Sequence, residues 1–196
     1  MVNRNYLARM ILIALMGMSF MNSYSQDNLE LSRMVMEDQK IRESGNDTID
    51  MEPIDKLHRQ KVMQLIVEGK TVTNKDKTNA ALILQHTALT FCNNELVSIS
   101  PENYYLAYLL SKSAFENGDE NAGYFCAVTY DRYLLYTEGY QKYGTQRVFE
   151  EETGNEVWAP IDPKTTDAER AEYNVPKLSV LLSKYKMKPL KTYPLD

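Results

Sequence analysis

The sequence predicts a single, mainly α-helical domain of about five to six helices, with one small β-hairpin near the C-terminal third. Apolar residues recur every three or four positions in several stretches between residues 28 and 137, which is the period of an amphipathic helix. Glycine and proline stand where these stretches end or begin. Alternating apolar residues flank a Gly-Asn turn only in the stretch 147–159, which favours a hairpin there.

The first 25 residues have the pattern of a signal peptide. Arg4 and Arg9 supply positive charge, residues 10–20 are apolar, and Ser-Tyr-Ser at 23–25 offers small residues at a cleavage site before Gln26. This apolar run is shorter than the ~20 residues that span a bilayer, and no later stretch is apolar enough. We therefore expect a periplasmic or secreted protein with no membrane span once the signal is removed.

Removal of that segment leaves residues 26–196 as a single domain, a size that suits one hydrophobic core. The whole chain has a formal charge of −5, and the leader holds two arginines and no acid, so the mature charge is −7. An acidic chain without a basic stripe argues against nucleic acid and anionic membrane surfaces as partners. An oxidising compartment would permit a bridge between Cys92 and Cys126, but both lie in apolar stretches predicted as helical, where free buried thiols are common.

The first half of the domain predicts three helices. The first covers residues 28–43 and ends before Gly-Asn-Asp at 45–47, and the second follows Asp50 and ends at Gly69. The third spans roughly residues 75–91. Because residues 80–89 are apolar on nearly all sides, we expect this third helix to be buried.

The second half predicts a helical hairpin followed by shorter elements. Ser100 and Pro101 have the pattern of a helix start, and the fourth helix runs to about residue 117. The fifth covers about 120–137. After the β-hairpin, a helical turn and a final short helix to about residue 184 are expected, and the tail to residue 196 is expected to be loosely held.

Polar residues interrupt the apolar faces of three of these helices. A charge on a buried face is costly unless it is paired and hydrogen-bonded, so the simplest expectation is that the three interruptions meet. Polar residues of the segment after the fifth helix would join them. The predicted cluster comprises Asp38, Gln39, Arg42, Gln85, His86, Asp131, Arg132, Tyr143, Gln146 and Arg170.

Two interpretations of this cluster compete. In the structural one, carboxylates and arginines satisfy each other and fix the packing of loops. In the functional one, His86 is a general acid or base that Asp38 or Asp131 orients, and the other members bind a small anionic or peptide-like ligand. No cofactor motif is present, and no metal site is predicted, because His86 and His58 are the only histidines and no ligand spacing supports one.

The stretch 139–146 (Gly-Tyr-Gln-Lys-Tyr-Gly-Thr-Gln) is predicted to be a structural corner or part of the site. The fourth and fifth helices are rich in tyrosine, which suits either inter-helix packing or recognition of a partner. The sequence thus leaves three hypotheses open: a binding or structural module, a hydrolase-type enzyme, and a scaffold that binds an envelope protein. The tyrosines concerned are Tyr104, Tyr105, Tyr108, Tyr124, Tyr130, Tyr133 and Tyr136.

Six short motifs give the chain a resemblance to a family of uncharacterised bacterial domains that has no assigned function. The resemblance covers nearly all of the mature chain, and the Tyr-Gly-Thr-Gln segment is its most specific part. It implies that the polar cluster is a family feature, without implying a reaction. The chain departs from the pattern at Gly69-Lys70, where Gly-Trp-Pro is expected. The motifs are Asp38-Gln39-x-x-Arg42, Gln85-His86, Asp131-Arg132, Gln141-x-Tyr143-Gly144-Thr145-Gln146, Pro160-Ile161-Asp162 and Asp167-x-x-Arg170.

Overall fold

The computed structural model describes residues 26–46, 48–92, 95–150 and 153–189, so the predicted signal peptide and the last residues of the tail lie outside the described residues. The described chain is mainly helical, as predicted, with seven helices and two small antiparallel hairpins. None of its helices combines the length and apolar character that a membrane crossing needs. The elements are α1 Leu29–Glu43, α2 Met51–Val67, α3 Asn74–Leu84, β1 Leu89–Cys92, β2 Glu95–Ser98, α4 Glu102–Glu116, α5 Ala122–Glu138, β3 Arg147–Phe149, β4 Glu156–Trp158, α6 Asp167–Glu172 and α7 Leu178–Lys184.

The N-terminal ends of α1 and α3 are tied together by one buried carboxylate. Thr73 and Asp76 form a capping box at the start of α3. Asp76 also accepts from the backbone N–H groups of Val72 at 3.1 Å and of Asn28 at 2.7 Å. Since Asn28 is itself the N-cap of α1, the two helices start from a shared set of hydrogen bonds.

The hydrophobic core has two parts. The larger lies among α1, α2, α3 and α4, and α4 packs against both α3 and α5. The smaller joins α5 to the C-terminal elements and includes Trp158 and Ile161.

The predicted extent of the third helix is wrong. The helix ends at Leu84, and the chain enters a second hairpin, β1–β2, in which Leu89 pairs with Ser98. The Thr87 hydroxyl donates to the Leu84 carbonyl at 2.9 Å and satisfies an acceptor that the next helical turn would have used. An apolar run such as 80–89 does not by itself distinguish a buried helix from a strand, so the sequence pattern missed this change.

The two cysteines are both free, and only one lies where it was expected. Cys126 is buried in α5, whereas Cys92 is exposed on β1 rather than in helical surroundings. The described structure therefore contains no bridge between them.

The one hairpin that the sequence predicts is present as β3–β4, with Arg147 opposite Trp158. The chain at residues 186–188 lies beside β4, where the Trp158 N–H donates to the Lys186 carbonyl at 2.8 Å. The Trp158 indole N–H donates to the Leu181 carbonyl of α7 at 2.7 Å. Trp158 thus holds the hairpin on α7.

Candidate functional site

The structure divides the predicted polar cluster into two groups joined by Arg132. One group surrounds His86, which follows the end of α3, and we call it the His86 group. The other surrounds Asp131 on α5, and we call it the Asp131 group. Arg132 donates from Nη1 to the Gln85 carbonyl at 2.7 Å and from Nε to Gln146 Oε1 at 3.1 Å, so it contacts both groups.

Three helical elements supply the side chains of the His86 group. Asp38 of α1 is buried, and its Oδ2 lies 3.2 Å from His86 Nδ1, a distance that permits an ion pair although the angles fall short of a hydrogen bond. Gln39 donates to the same Oδ2 at 2.8 Å. Arg42 donates from Nε to Asp38 at 3.2 Å and from Nη2 to Asp55 of α2. Arg42 therefore bridges two carboxylates.

These neighbours decide the charge state of Asp38. Burial raises the pKa of its carboxyl, but contact with His86 and the charge of Arg42 lower it, with a smaller contribution from Gln39. The balance keeps the pKa of Asp38 below its usual value. Asp38 is therefore ionised at neutral pH and places a negative charge 3.2 Å from His86 Nδ1.

The C-terminal end of α3 is capped by two arginines from different helices. Arg132 donates to the Gln85 carbonyl, and Arg59 of α2 donates from Nη1 to the His86 carbonyl at 2.6 Å. Arg59 Nη2 also lies 3.3 Å from Glu52 Oε1. Cations are stabilising at a helix C-terminus, where carbonyls lack helical partners, so these contacts fix the backbone that carries His86.

Arg132 differs from Arg42 and Arg59 because it has no carboxylate partner among the described residues. It is half-buried, and its hydrogen bonds to described residues go to a carbonyl and to a side-chain amide. Burial lowers the pKa of Arg132, the nearby Tyr104 and Tyr136 hydroxyls raise it, and the Arg42 charge lowers it further. Among the residues that the structure describes, its charge is left without a counter-charge.

The Asp131 group is a clasp around the loop after α5. Asp131 Oδ1 accepts the N–H groups of Lys142 and Tyr143 at 2.7 and 2.8 Å. Its Oδ2 accepts the N–H groups of Gly144 and Thr145, both at 2.9 Å, and the Thr145 hydroxyl at 2.8 Å. Burial raises the pKa of the Asp131 carboxyl, and these donors oppose burial by lowering it. The carboxylate is thus committed to the loop, and Asp38 rather than Asp131 lies against His86.

The side chains around this loop also bond to backbone. Gln141 donates to the carbonyls of Gln146 and Ala159 at 2.8 and 2.9 Å and accepts from the Gln146 N–H at 2.7 Å. Arg170 is buried and donates from Nε to the Tyr143 carbonyl at 3.0 Å. Of the predicted ligand-binding residues, Tyr143, Gln146 and Arg170 therefore lie in the clasp.

Sequence reasoning missed two members of the His86 group, Asp55 and Arg59. Both lie in a stretch rich in charge, residues 55–61, which is more typical of a solvated surface than of a buried site. The signal that could have found them is spacing: the buried residues of α2 are Asp55, Arg59, Val62 and Leu65. Arg59 and Asp55 thus continue the apolar face of the helix by one and two turns, respectively.

Asp38, Asp55 and His86 also bring one potential metal ligand each to within 4.8 Å of one another. The two carboxylates already receive the Arg42 guanidinium, which supplies the positive charge that an ion would bring. A metal would have to displace Arg42, so we assign none to these residues.

The tyrosines of α4 and α5 mostly pack against each other. Tyr104 is buried, and its hydroxyl donates to the Thr87 carbonyl at 2.8 Å. The ring centroids of Tyr108 and Tyr130 lie 4.7 Å apart. Tyr105, which is 42% exposed, and Tyr124 keep large accessible surfaces. A partner surface on this hairpin would therefore be formed by Tyr105 rather than Tyr104.

Comparisons with known proteins found no matching family model, no significantly similar curated protein and no significantly similar solved structure. The two polar groups are therefore interpreted from their own chemistry.

Proposed function

We propose that the protein is an exported binding module, periplasmic or secreted, that recognises a small anionic ligand at the His86 group. The observation that carries this proposal is the half-buried Arg132 guanidinium, which has no carboxylate partner among the described residues. A carboxylate or phosphate of a ligand would supply the missing charge through charge-assisted hydrogen bonds.

The neighbours of Arg132 support a polar ligand of limited size. Two buried acceptors have no hydrogen-bond partner in the described structure: Gln85 Oε1, on the residue whose carbonyl Arg132 contacts, and Glu52 Oε2, on the residue that pairs with Arg59. Side-chain exposure is 30% for Arg42 and 15% for His86, so access is narrow. An anion that also carries an amide, as a peptide-like ligand does, would satisfy both kinds of group.

Thermal unfolding in the presence of simple anions tests this proposal. Inorganic phosphate and succinate are each compared with sodium chloride at equal ionic strength. At a concentration ten times Kd, a ligand that binds only the folded state stabilises it by about 1.4 kcal/mol, which for a domain of this size raises Tm by about 3–6 °C.

Arg132→Gln should abolish this stabilisation. The matched control is Arg33→Gln on α1, whose side chain is 68% exposed and which should respond as the unmodified protein does. Equal stabilisation of both variants, or no stabilisation of the unmodified protein by either anion, would contradict the proposal.

A hydrolase-type enzyme is the second candidate, and one observation favours it. Asp38 Oδ2 lies 3.2 Å from His86 Nδ1, so this carboxylate is placed to orient the imidazole. In this arrangement Nε2 would take a proton from an attacking water, while Arg132 would stabilise the developing negative charge. Release of nitrophenol from p-nitrophenyl phosphate or acetate, lost in His86→Gln and kept in Arg33→Gln, would support it. The absence of release from both esters would remove this candidate.

We also propose that the chain belongs to the family of uncharacterised bacterial domains that its motifs resemble. The support is that the motifs form the two polar groups: Asp38-Gln39-x-x-Arg42 lies beside His86, and Tyr143-Gly144-Thr145-Gln146 is the loop that Asp131 holds. A structure-based search for further chains that keep both the Arg132 bridge and the clasp would test this membership.

A further inference from the structure

We propose a second ligand site, independent of the His86 group, in the cleft between the β3–β4 hairpin and α7. Its ligand would be a small organic anion with an apolar body. The cleft has a volume of about 340 Å³, which lies within the range of small-molecule sites. The lining includes Trp158, Leu181, Arg147, Lys184 and Tyr185.

The floor of this cleft, formed by Val175, Leu181 and the Trp158 ring, is apolar. Val175 and Leu181 are buried apolar residues that line it together with the Trp158 ring. Because the Trp158 indole N–H already donates to the Leu181 carbonyl, the floor offers the ring as an apolar surface without an unsatisfied donor. An apolar body would be buried against this floor.

The charges at the cleft are positive. Arg147 and Lys184 line it, and no aspartate or glutamate does. Arg147 pairs with Glu156 outside the lining, and its guanidinium lies 4.9 Å from the centroid of the Tyr185 ring. Lys184 forms no ion pair with any residue in the part of the chain that the structure describes. The Lys184 ammonium is thus available to attract an anionic group of a ligand.

Contacts among the lining residues fix the positions of Arg147, Trp158 and Tyr185. The Arg147 Nη1 group donates to the Tyr185 hydroxyl at 2.8 Å, and the Trp158 and Tyr185 rings meet edge to face at a centroid distance of 5.5 Å. Gly144 lines the cleft with φ +100°, and a Cβ there would lie 2.7 Å from Leu181 Cδ1. These contacts preorganise an aromatic wall with a cation at its edge, which lowers the cost of binding.

Trp158 is the single tryptophan of the chain, so its emission reports directly on this cleft. The probe is 8-anilinonaphthalene-1-sulfonate, an aromatic anion that accepts energy from tryptophan, and N-phenyl-1-naphthylamine is its uncharged counterpart. We expect saturable quenching of Trp158 by the sulfonate and about fivefold weaker binding of the uncharged compound, since one exposed ionic contact contributes up to about that factor.

Lys184→Gln should weaken binding of the sulfonate by roughly two- to fivefold, and Lys184→Glu should weaken it more. The matched control is Lys177→Gln, an exposed lysine that does not line the cleft and precedes the same helix. Arg132→Gln should leave binding of the sulfonate unchanged, which separates this site from the His86 group. Equal affinity for both compounds, non-saturable quenching, or an unchanged affinity in Lys184→Gln would overturn the proposal.

Discussion

Replacing Asp131 by asparagine should be among the most damaging single-atom exchanges in this protein. The carboxylate accepts five hydrogen bonds, and every one of them comes from the loop that follows α5. Asparagine keeps the shape of aspartate but replaces one acceptor oxygen by an amide NH₂ group, which only donates. In either orientation of the amide, at least two backbone N–H groups of the loop would face a donor.

The cost follows from those orphaned groups. A buried N–H without an acceptor costs about 1–3 kcal/mol, so two of them cost about 2–6 kcal/mol. With a urea m-value of about 2 kcal/mol/M, the unfolding midpoint should fall by about 1–3 M. This loss is a large share of the stability that a domain of this kind usually has.

Equilibrium unfolding in urea, followed by Trp158 fluorescence and far-ultraviolet circular dichroism, measures this loss. The control is Asp162→Asn, because Asp162 Oδ1 accepts a single exposed N–H, that of Lys164, at 2.9 Å. An asparagine oxygen can replace that acceptor, so the control should change stability by less than about 0.5 kcal/mol. If Asp131→Asn were as stable as the control, the assignment of Asp131 as the clasp of the loop would be refuted.

Three further predictions concern other parts of the molecule. Gly144→Ala should destabilise the fold by about 2–4 kcal/mol in urea unfolding, because φ is +100° and the new Cβ would clash with Leu181. Gly154→Ala should cost less, because a Cβ at position 154 would meet no atom within 4 Å. Equal costs for the two variants would refute the clash with Leu181. The lowered pKa of Asp38 contributes stability that is fully present above its unfolded pKa of about 3.9 and is lost as pH falls through the folded pKa. His86→Ala removes part of that lowering, so the free energy of unfolding should fall less steeply between neutral and acid pH. A pH dependence equal to that of the unmodified protein would contradict this. Burial raises the pKa of Cys126 to about 11, so in the folded chain a thiol reagent should modify only the exposed Cys92. After unfolding it should modify both cysteines. Modification of neither cysteine would indicate a disulfide and contradict this prediction.

Most of the fold could be predicted from local patterns. The periodic apolar residues of α1, α2, α4 and α5 and the turn between β3 and β4 are properties of short segments, and those elements form where they were expected. The end of α3 could not be predicted in this way. There the outcome depends on a side-chain hydrogen bond of Thr87 and on the cations that Arg59 and Arg132 bring from distant helices.

The candidate site was predicted in its members better than in its arrangement. Asp38 and Asp131 interrupt apolar helix faces in the sequence, and the structure confirms that both are buried. Which carboxylate meets His86 depends on how the helices pack and on how the loop 139–146 folds back onto α5, and neither is encoded in residue spacing. The five donors that occupy Asp131 are mostly backbone groups, which no pattern of side chains reveals.

The proposed anion site depends on whether the guanidinium of Arg132 binds an anion. Nuclear magnetic resonance of the arginine Nε–H groups, recorded while inorganic phosphate is added at constant ionic strength, measures this directly. We predict a saturable shift of the Arg132 resonance, with the resonance of the exposed Arg33 unchanged. Equal, non-saturable shifts of both resonances, or no shift of the Arg132 resonance, would contradict the proposal that a ligand anion supplies the counter-charge of Arg132.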